Sequence, residues 1–414
     1  MVLLCGYLAL YPMLAVKLAL MLGKRHLLAF YLPVTWLLCE WLRSWMLTGF
    51  PWLSLGYSQL DSPLAGWLPI IGETGVSALM ILLSAGLVSG VIQRNIWKPA
   101  IVLVVPLISG IVLNQIEWTK PTGETIRTAM VQGNIKQELR WMPEQDLPTM
   151  QAYYDETLPF LDYDLIVWPE AAVPKLESLA QEYLHDVDQL TASNGAALIT
   201  GIVNYNFESD QVYNNLIVLG QQHPGDDLGH YRYGHNNRFA KHHLLPVGEF
   251  VPFESLLRGL APIFDLPMSS FTRGDYQQRN LVANGHHIAP AICFEIAFPR
   301  QVRANLYENT QLILTVSNDA WFGRSHGPAQ HMQIAQMRAK EFGLPVIRST
   351  NNGISGFVDH RGKLVSQLPQ FERASHTFPV ALVEGSTPYR YFGDFLAWLI
   401  FVGLAILARF SRLH

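Results

Sequence analysis

The chain is short of charge and almost without cysteine. Only 15% of its 414 residues are charged, against roughly a quarter in an average soluble protein. Its 3 cysteines are Cys5, Cys39 and Cys293, and the first two lie in apolar segments near the start. Cys293 therefore has no local disulfide partner and is either inert and buried or chemically used. The net charge is -4 and there is no basic tract, which excludes the electrostatic footprint of a nucleic-acid binder. Internal repeats, low-complexity tracts and metal-ligand spacings are also missing. The histidine pairs 242/243 and 286/287 are adjacent, a poor geometry for one ion, and read as surface or supporting residues. No cofactor or metal is expected.

The charge deficit is uneven. Residues 1–116 are nearly free of charge, 117–388 read as an ordinary globular domain, and 389–414 are apolar again. A membrane span needs about 20 apolar residues, and residues 2–22, 27–46, 69–92, 99–116 and 391–408 are candidates. Lys24, Arg25, Arg94, Lys98, Arg409 and Arg412 fall on one side of these spans, the cytoplasmic side by the positive-inside rule. The 117–388 domain then faces the other side, as does the loop 47–68 with Phe50, Trp52, Tyr57 and Trp67. Four crossings before that domain put the first residue outside too. Either the topology starts unusually, or the chain is a remainder of a longer one, which is the reading preferred here. Glu40 and Arg43 lie at i,i+3 spacing in one span, either as a functional pair or as a structural one.

Between the spans, apolar strand-like runs alternate with amphipathic ones. Strands are expected at 125–132, 164–168, 197–204, 212–219, 288–292, 312–317, 346–349, 355–359 and 363–367. Helices are expected at 143–161, 176–193 and 330–342. This pattern predicts a layered α/β domain with sheets inside and helices outside.

Three residues, each at a strand end, suggest chemistry. Cys293 closes the run Ile288–Ile292, Glu170 follows Asp164–Trp168, and Lys241 follows Arg238-Phe239-Ala240. A thiol attacks as thiolate and needs a base or a lowered pKa. Glu170 suits the base and Lys241 suits an oxyanion. A helix expected near Phe294–Glu295 would favour the thiolate through its N-terminus. Singly, each has a dull reading: a buried Cys, a surface Glu, a surface Lys. Together they suggest nucleophilic acyl transfer.

At this point the strings carry a resemblance. Glu170, Lys241 and Cys293 are similar to the Glu-Lys-Cys triad of the nitrilase superfamily. Trp168-Pro169-Glu170, Lys241 with Leu244, Pro246, Gly248-Glu249 and Val251-Pro252, and Ile292-Cys293-Phe294-Glu295 resemble the apolipoprotein N-acyltransferases. So do Ser317-Asn318-Asp319-Ala320-Trp321-Phe322-Gly323, Gly327-Pro328 with Gln330-His331, and the span-end string from Glu40 to Trp52. The resemblance implies an α/β nitrilase-like αββα sandwich carried on a transmembrane helical bundle, with boundaries 1–116, 117–388 and 389–414. It implies a bacterial cytoplasmic-membrane enzyme, its catalytic domain periplasmic. Such an enzyme moves an acyl chain from a glycerophospholipid, typically phosphatidylethanolamine, through a cysteine thioester to the α-amine of a diacylglyceryl apolipoprotein. It further implies supporting roles for Glu249, Glu295 and Trp141, and an oxyanion contact from the Phe294 N–H. The family often has tyrosine where Phe294 stands, and usually more helices at its N-terminus. The alternatives are a membrane-bound nitrilase-type amidase that releases its acyl group to water, and an inactive lipoprotein-binding relative.

Overall fold

The computed structural model describes residues 2–23, 28–94, 97–139, 142–246, 248–250 and 271–410. The chain divides into two compact units, one of residues 1–120, 340–343 and 385–414, the other of 121–339 and 344–384.

The first unit is helical. It contains α1 (Val2–Leu22), α2 (Leu28–Arg43), α3 (Leu68–Gln93) and α4 (Trp97–Leu113). Two helical stretches, Val2–Leu22 and Pro63–Ile92, are long and apolar enough to cross a membrane, with mean hydropathy 1.8 and 2.2. The stretches Ala100–Leu113 and Phe395–Phe410 are apolar but shorter. In α2, the expected 27–46 span is cut to 16 residues and contains Pro33. Glu40 and Arg43 are paired there, and Arg43 also donates to the Phe50 carbonyl at 3.1 Å. Of the aromatic residues expected at a membrane surface, Tyr57 is instead buried.

The second unit holds two sheets. The first runs β13 (Ala374–Gly385), β1 (Thr119–Gln132), β2 (Leu165–Val167), β4 (Ala197–Asn206), β5 (Gln211–Gly220) and β6 (Arg238–Ala240), with β3 (Val173–Leu176) paired to β4. The second runs β12 (Leu364–Gln367), β11 (Gly356–Val358), β10 (Val346–Thr350), β9 (Leu312–Ser317), β8 (His286–Ile292) and β7 (Leu281–Ala283). Alternation along the strands sorts the side chains into layers. Ile126, Met130, Leu165, Val167, Ile199 and Val218 of the first sheet share one buried cluster with Ile288, Ile292, Leu312, Leu314, Val316 and Ile347 of the second. The intervening residues Ala129, Val131, Ile166, Leu198, Ile217 and Leu219 pack with Met150 and Tyr153 of α5 (Pro143–Thr157) and Leu184 and Val187 of α6 (Gln181–Ser193). Strands covered on both faces read as continuous apolar runs, as β2 and β9 do. β6 was expected only as the strand end before Lys241, and β3 and β7 lie outside the expected strands: β3 contains Pro174 and Lys175, and β7 is three residues flanked by Asn280 and Asn284.

The layout brings four strand ends together. β1, β2 and β4 are parallel, and β6 returns to that direction through the antiparallel β4–β5 and β5–β6 pairs. β8, β9 and β10 are likewise parallel. Residues just past β2, β6, β8 and β9 are Glu170, Lys241, Cys293 and Asn318-Asp319, and open α/β sheets gather their sites at such carboxyl ends.

Candidate active site

Glu170 is seated by a tight turn after β2. The turn is anchored by Trp168 N donating to Ile199 O at 2.9 Å, and Ala171 takes a left-handed φ of 45°. Gly201 on β4 makes room for it. A Cβ there would stand 2.3 Å from Ala171 N and 2.8 Å from Glu170 Cα. Glu170 Oε2 accepts from Asn318 N at 3.0 Å and Oε1 from Asn214 Nδ2 at 2.8 Å.

Lys241 follows β6 and is 2% exposed. Its Nζ donates to Glu249 Oε1 at 2.8 Å and to Glu170 Oε1 at 3.2 Å. Burial would push this ammonium down, but the Glu170 and Glu249 carboxylates hold it well above the usual lysine value. Asn214 Nδ2 spans both carboxylates, reaching Glu249 Oε1 at 3.0 Å. Glu249 Oε2 is held by Leu245 N at 2.7 Å.

Glu295 has a different task. Its carboxylate accepts from Ile292 N at 2.8 Å, His242 N at 2.8 Å, His243 N at 3.1 Å and Gln301 Nε2 at 2.8 Å. It ties the backbone before Cys293 to the backbone after Lys241. Glu249 thus holds the ammonium itself, and Glu295 holds the chain that carries it.

Cys293 sits at a left-handed φ of 54° and packs on the core between the sheets. Burial, reinforced by the Glu170 carboxylate and opposed by Lys241, pushes its thiol up to about 12. The helix expected after it is instead a five-residue 3₁₀ turn, Cys293–Ala297, followed by the short helix α7 (Pro299–Ala304). One such turn sums too few peptide dipoles to act as a helix N-terminus, so the resting thiol is not pre-ionised by one. Phe294 is buried with its ring edge-on to Phe298, centroids 5.0 Å apart. Trp141 lies outside the described residues.

Further partners had no assigned role in the sequence. Asn214 interrupts an apolar strand beside Asn215, and paired polar residues in a buried strand are the signal that marks it. Ser317 Oγ is 3.3 Å from Cys293 Sγ and 2.6 Å from Asp319 Oδ1. His331, on helix α8 (Gly327–Phe342), reaches Asp319 Oδ1 through Nδ1 and the Cys293 carbonyl through Nε2, each at 3.0 Å. Arg348 of β10 donates to Asp319 Oδ2 at 2.7 Å. Burial opposes ionisation of Asp319, but Arg348 and His331 hold its carboxyl well below the usual range. The pair His242/His243 lies next to the site without forming a metal centre. His242 Nδ1 bonds Gly274 O at 2.7 Å, and His243 stacks on Phe298 with centroids 3.7 Å apart. Among the described residues no group of three potential metal ligands exists.

A buried carboxylate–ammonium–carboxylate set beside a thiol equips the site for covalent acyl chemistry. The carbon-nitrogen hydrolase profile matches residues 127–384. The apolipoprotein N-acyltransferase N-terminal domain profile matches residues 1–86. An apolipoprotein N-acyltransferase of Photobacterium profundum is 46% identical over 99% of this chain and 80% of its own length. One of Vibrio parahaemolyticus is 48% identical over 90% of this chain and 72% of its own length, and one of Pseudomonas aeruginosa 43% over 86% and 68%. Among solved structures, the C. elegans NitFhit protein matches at TM-score 0.48 and 14% identity, over 70% of this chain and 65% of that one.

Proposed function

The chain belongs to the apolipoprotein N-acyltransferase family, within the carbon-nitrogen hydrolases, and on that premise we propose that it acylates lipoprotein N-termini through Cys293. The acyl donor is a glycerophospholipid, phosphatidylethanolamine in the first instance. The acceptor is the α-amine of an N-terminal diacylglyceryl-cysteine. The enzyme works in the bacterial cytoplasmic membrane as a multi-pass protein, with its α/β domain on the periplasmic side. The observation that carries this reading is Lys241 Nζ lying between the Glu170 and Glu249 carboxylates, with both Lys241 and Glu170 acting electrostatically on the Cys293 thiol.

Glu170 takes the thiol proton as Sγ attacks the ester carbonyl of the phospholipid. Two of the three Nζ donors are engaged by carboxylates, which leaves one for the oxyanion, beside the Phe294 N–H. Such a donor contributes on the order of 10²-fold or more to rate. The ester C–O bond breaks, the lysophospholipid leaves with the proton from Glu170, and a thioester remains. The lipoprotein amine then attacks. Its proton passes to Glu170, the C–S bond breaks, and the amide departs. The thiolate takes its proton back from Glu170.

Apolar helices in the same chain suit this chemistry. Each CH₂ lifted from the bilayer into water costs about 0.8 kcal/mol, so two lipidated substrates are best met in the membrane. The test is mass spectrometry of Cys293 after the full chain is incubated in phosphatidylethanolamine vesicles. A mass increase of one fatty acyl group is expected, with transfer to a diacylglyceryl peptide on addition. Release of free fatty acid with no N-acylated peptide would favour an amidase-like hydrolase instead, and an unmodified Cys293 would overturn the reading.

A further inference from the structure

The Asp319, His331 and Arg348 side chains form a second ionic group behind Cys293, all three 3% exposed or less. The two atoms facing the His331 ring nitrogens are a carboxylate oxygen of Asp319, whose other oxygen is paired with the Arg348 guanidinium, and a peptide carbonyl oxygen. Neither has a proton to give. A neutral ring would aim a lone pair at one of them across 3.0 Å. Burial and the Arg348 guanidinium work against a charge on this ring, but only a ring with hydrogen on both nitrogens satisfies both oxygens. We propose that His331 is a positioning residue for Cys293, an imidazolium that pins the nucleophile's peptide in its left-handed conformation and faces the negative charge the sulfur acquires.

The charges balance across the proton transfer. Lys241 with Glu170 and Glu249 carries one cation and two carboxylates. Arg348 and His331 with Asp319 carry two cations and one carboxylate. Cys293 is in contact with the second group through its carbonyl and Ser317 and under the field of the first. When the thiol proton moves to Glu170, the first group becomes neutral and the thiolate faces the second. Ser317 serves the same step. Its single hydroxyl proton lies between Asp319 Oδ1 and Cys293 Sγ, so it rests on the carboxylate and turns to the sulfur once the thiolate forms. Among the described residues, Arg348 Nε and Nη1 have no hydrogen-bond partner, so Asp319 alone neutralises the guanidinium. Two sites fix the geometry. Arg348 lies within β10 and Asp319 two residues past the adjacent parallel strand β9, and a Cβ at Gly353 would stand 2.3 Å from Asp319 Oδ2.

This inference rests on Cys293 being the nucleophile, and its test reads the thiol without acyl transfer. The rate of iodoacetamide labelling of the Cys293 peptide is followed against pH in the full chain, for the unaltered protein, His331→Gln and Ser317→Ala. Gln keeps a donor for the carbonyl and loses the charge. The groups facing Cys293 are Glu170, Lys241 and Asp319, and those facing His331 are Asp319 and Arg348, and all remain in these variants. The midpoint is expected to rise by about one pH unit in His331→Gln and by less in Ser317→Ala. Acyl transfer by His331→Gln should recover as the pH is raised, which a merely structural defect would not do. A His331→Gln profile superimposed on that of the unaltered protein overturns the proposal. Should that variant not fold, ¹⁵N-histidine NMR of the unaltered chain decides: two N–H groups on His331 at pH 8 are expected, and one bare nitrogen sinks the idea. Failure to form a thioester at Cys293 would instead sink the acyltransferase mechanism and leave the ring measurement standing.

Discussion

The Lys241 group places two carboxylates around one ammonium, whereas the Arg348 group places a guanidinium and an imidazole around one carboxylate. The first keeps contact with the surface: the Glu170 and Glu249 side chains are 9% and 13% exposed. The second is sealed, with the Arg348 and Asp319 side chains at 0%. In the proposed mechanism, opposite charge balance in the two groups gives the thiol proton somewhere to go and the resulting anion a counter-charge. Different burial divides their tasks. In the proposed mechanism the open group meets substrate and the closed one sets the geometry and field of the nucleophile.

The largest effect should come from removing the atom both groups serve. Cys293→Ser is expected to abolish thioester formation and to lower transfer by 10³-fold or more, read as loss of labelled acyl-enzyme. Lys241→Met should cost about 10²- to 10³-fold in turnover, because it removes the oxyanion donor and leaves two carboxylates facing each other. A matched cut in the sealed group is expected to show first in stability. Asp319→Asn should destabilise the folded domain by about 3–5 kcal/mol, measured by thermal or denaturant unfolding, since it strands a buried guanidinium. Equal loss of stability in Lys241→Met and Asp319→Asn would erase the distinction drawn between the groups.

Smaller effects sharpen it. Asp319 is held below the usual carboxylate range. Its stabilising contribution is therefore present above about pH 4, the ordinary Asp value, and is lost as pH falls further toward its folded value. His243 shifts in the same direction for a different reason. Burial, opposed by its bond to Gln301, pushes it down to about 4, so the unfolded state takes up its proton first. Stability should fall as pH drops from about 6.5 to 4, by up to about 3 kcal/mol, and level off below. His243→Phe, which keeps the stack on Phe298, should flatten that slope in a chemical-denaturation series. Gly201→Ala should reduce turnover more than stability, by displacing the Glu170 turn. Unchanged turnover would show that the turn yields without moving the carboxylate.

Much of the sheet framework was readable along the chain. β9 coincides with its expected range of 312–317, and β2, β4, β5, β8 and β10 fall within two residues of theirs. Each lies in a mostly apolar run that stands out from its polar flanks. The misses have physical reasons. β3 contains Pro174 and Lys175, β7 is three residues flanked by asparagines, and β13 opens with Ala374-Ser375-His376-Thr377, half-buried residues of mixed polarity. The expected helix after Cys293 became a 3₁₀ turn, because Phe298-Pro299 begins α7 there: proline sets its first turn and disfavours a helical residue before it. Of the site, Glu170 and Cys293 were readable because each follows an apolar strand, and Lys241 because it follows the short strand Arg238-Phe239-Ala240. Asn214, Ser317, His331 and Arg348 were not assigned roles, because a polar residue in a strand or helix gives no sign of what it will meet.

By itself the sequence determined which segments are apolar, where strands end, and which residue types stand at those ends, since these depend on neighbours a few positions away. Only the tertiary structure decided that Lys241 lies between Glu170 and Glu249, residues 71 and 8 positions away along the chain. It likewise decided that Asp319, His331 and Arg348 close behind Cys293. Ionic contacts between distant positions exist only once two sheets have packed and excluded the water that would otherwise solvate each charge apart.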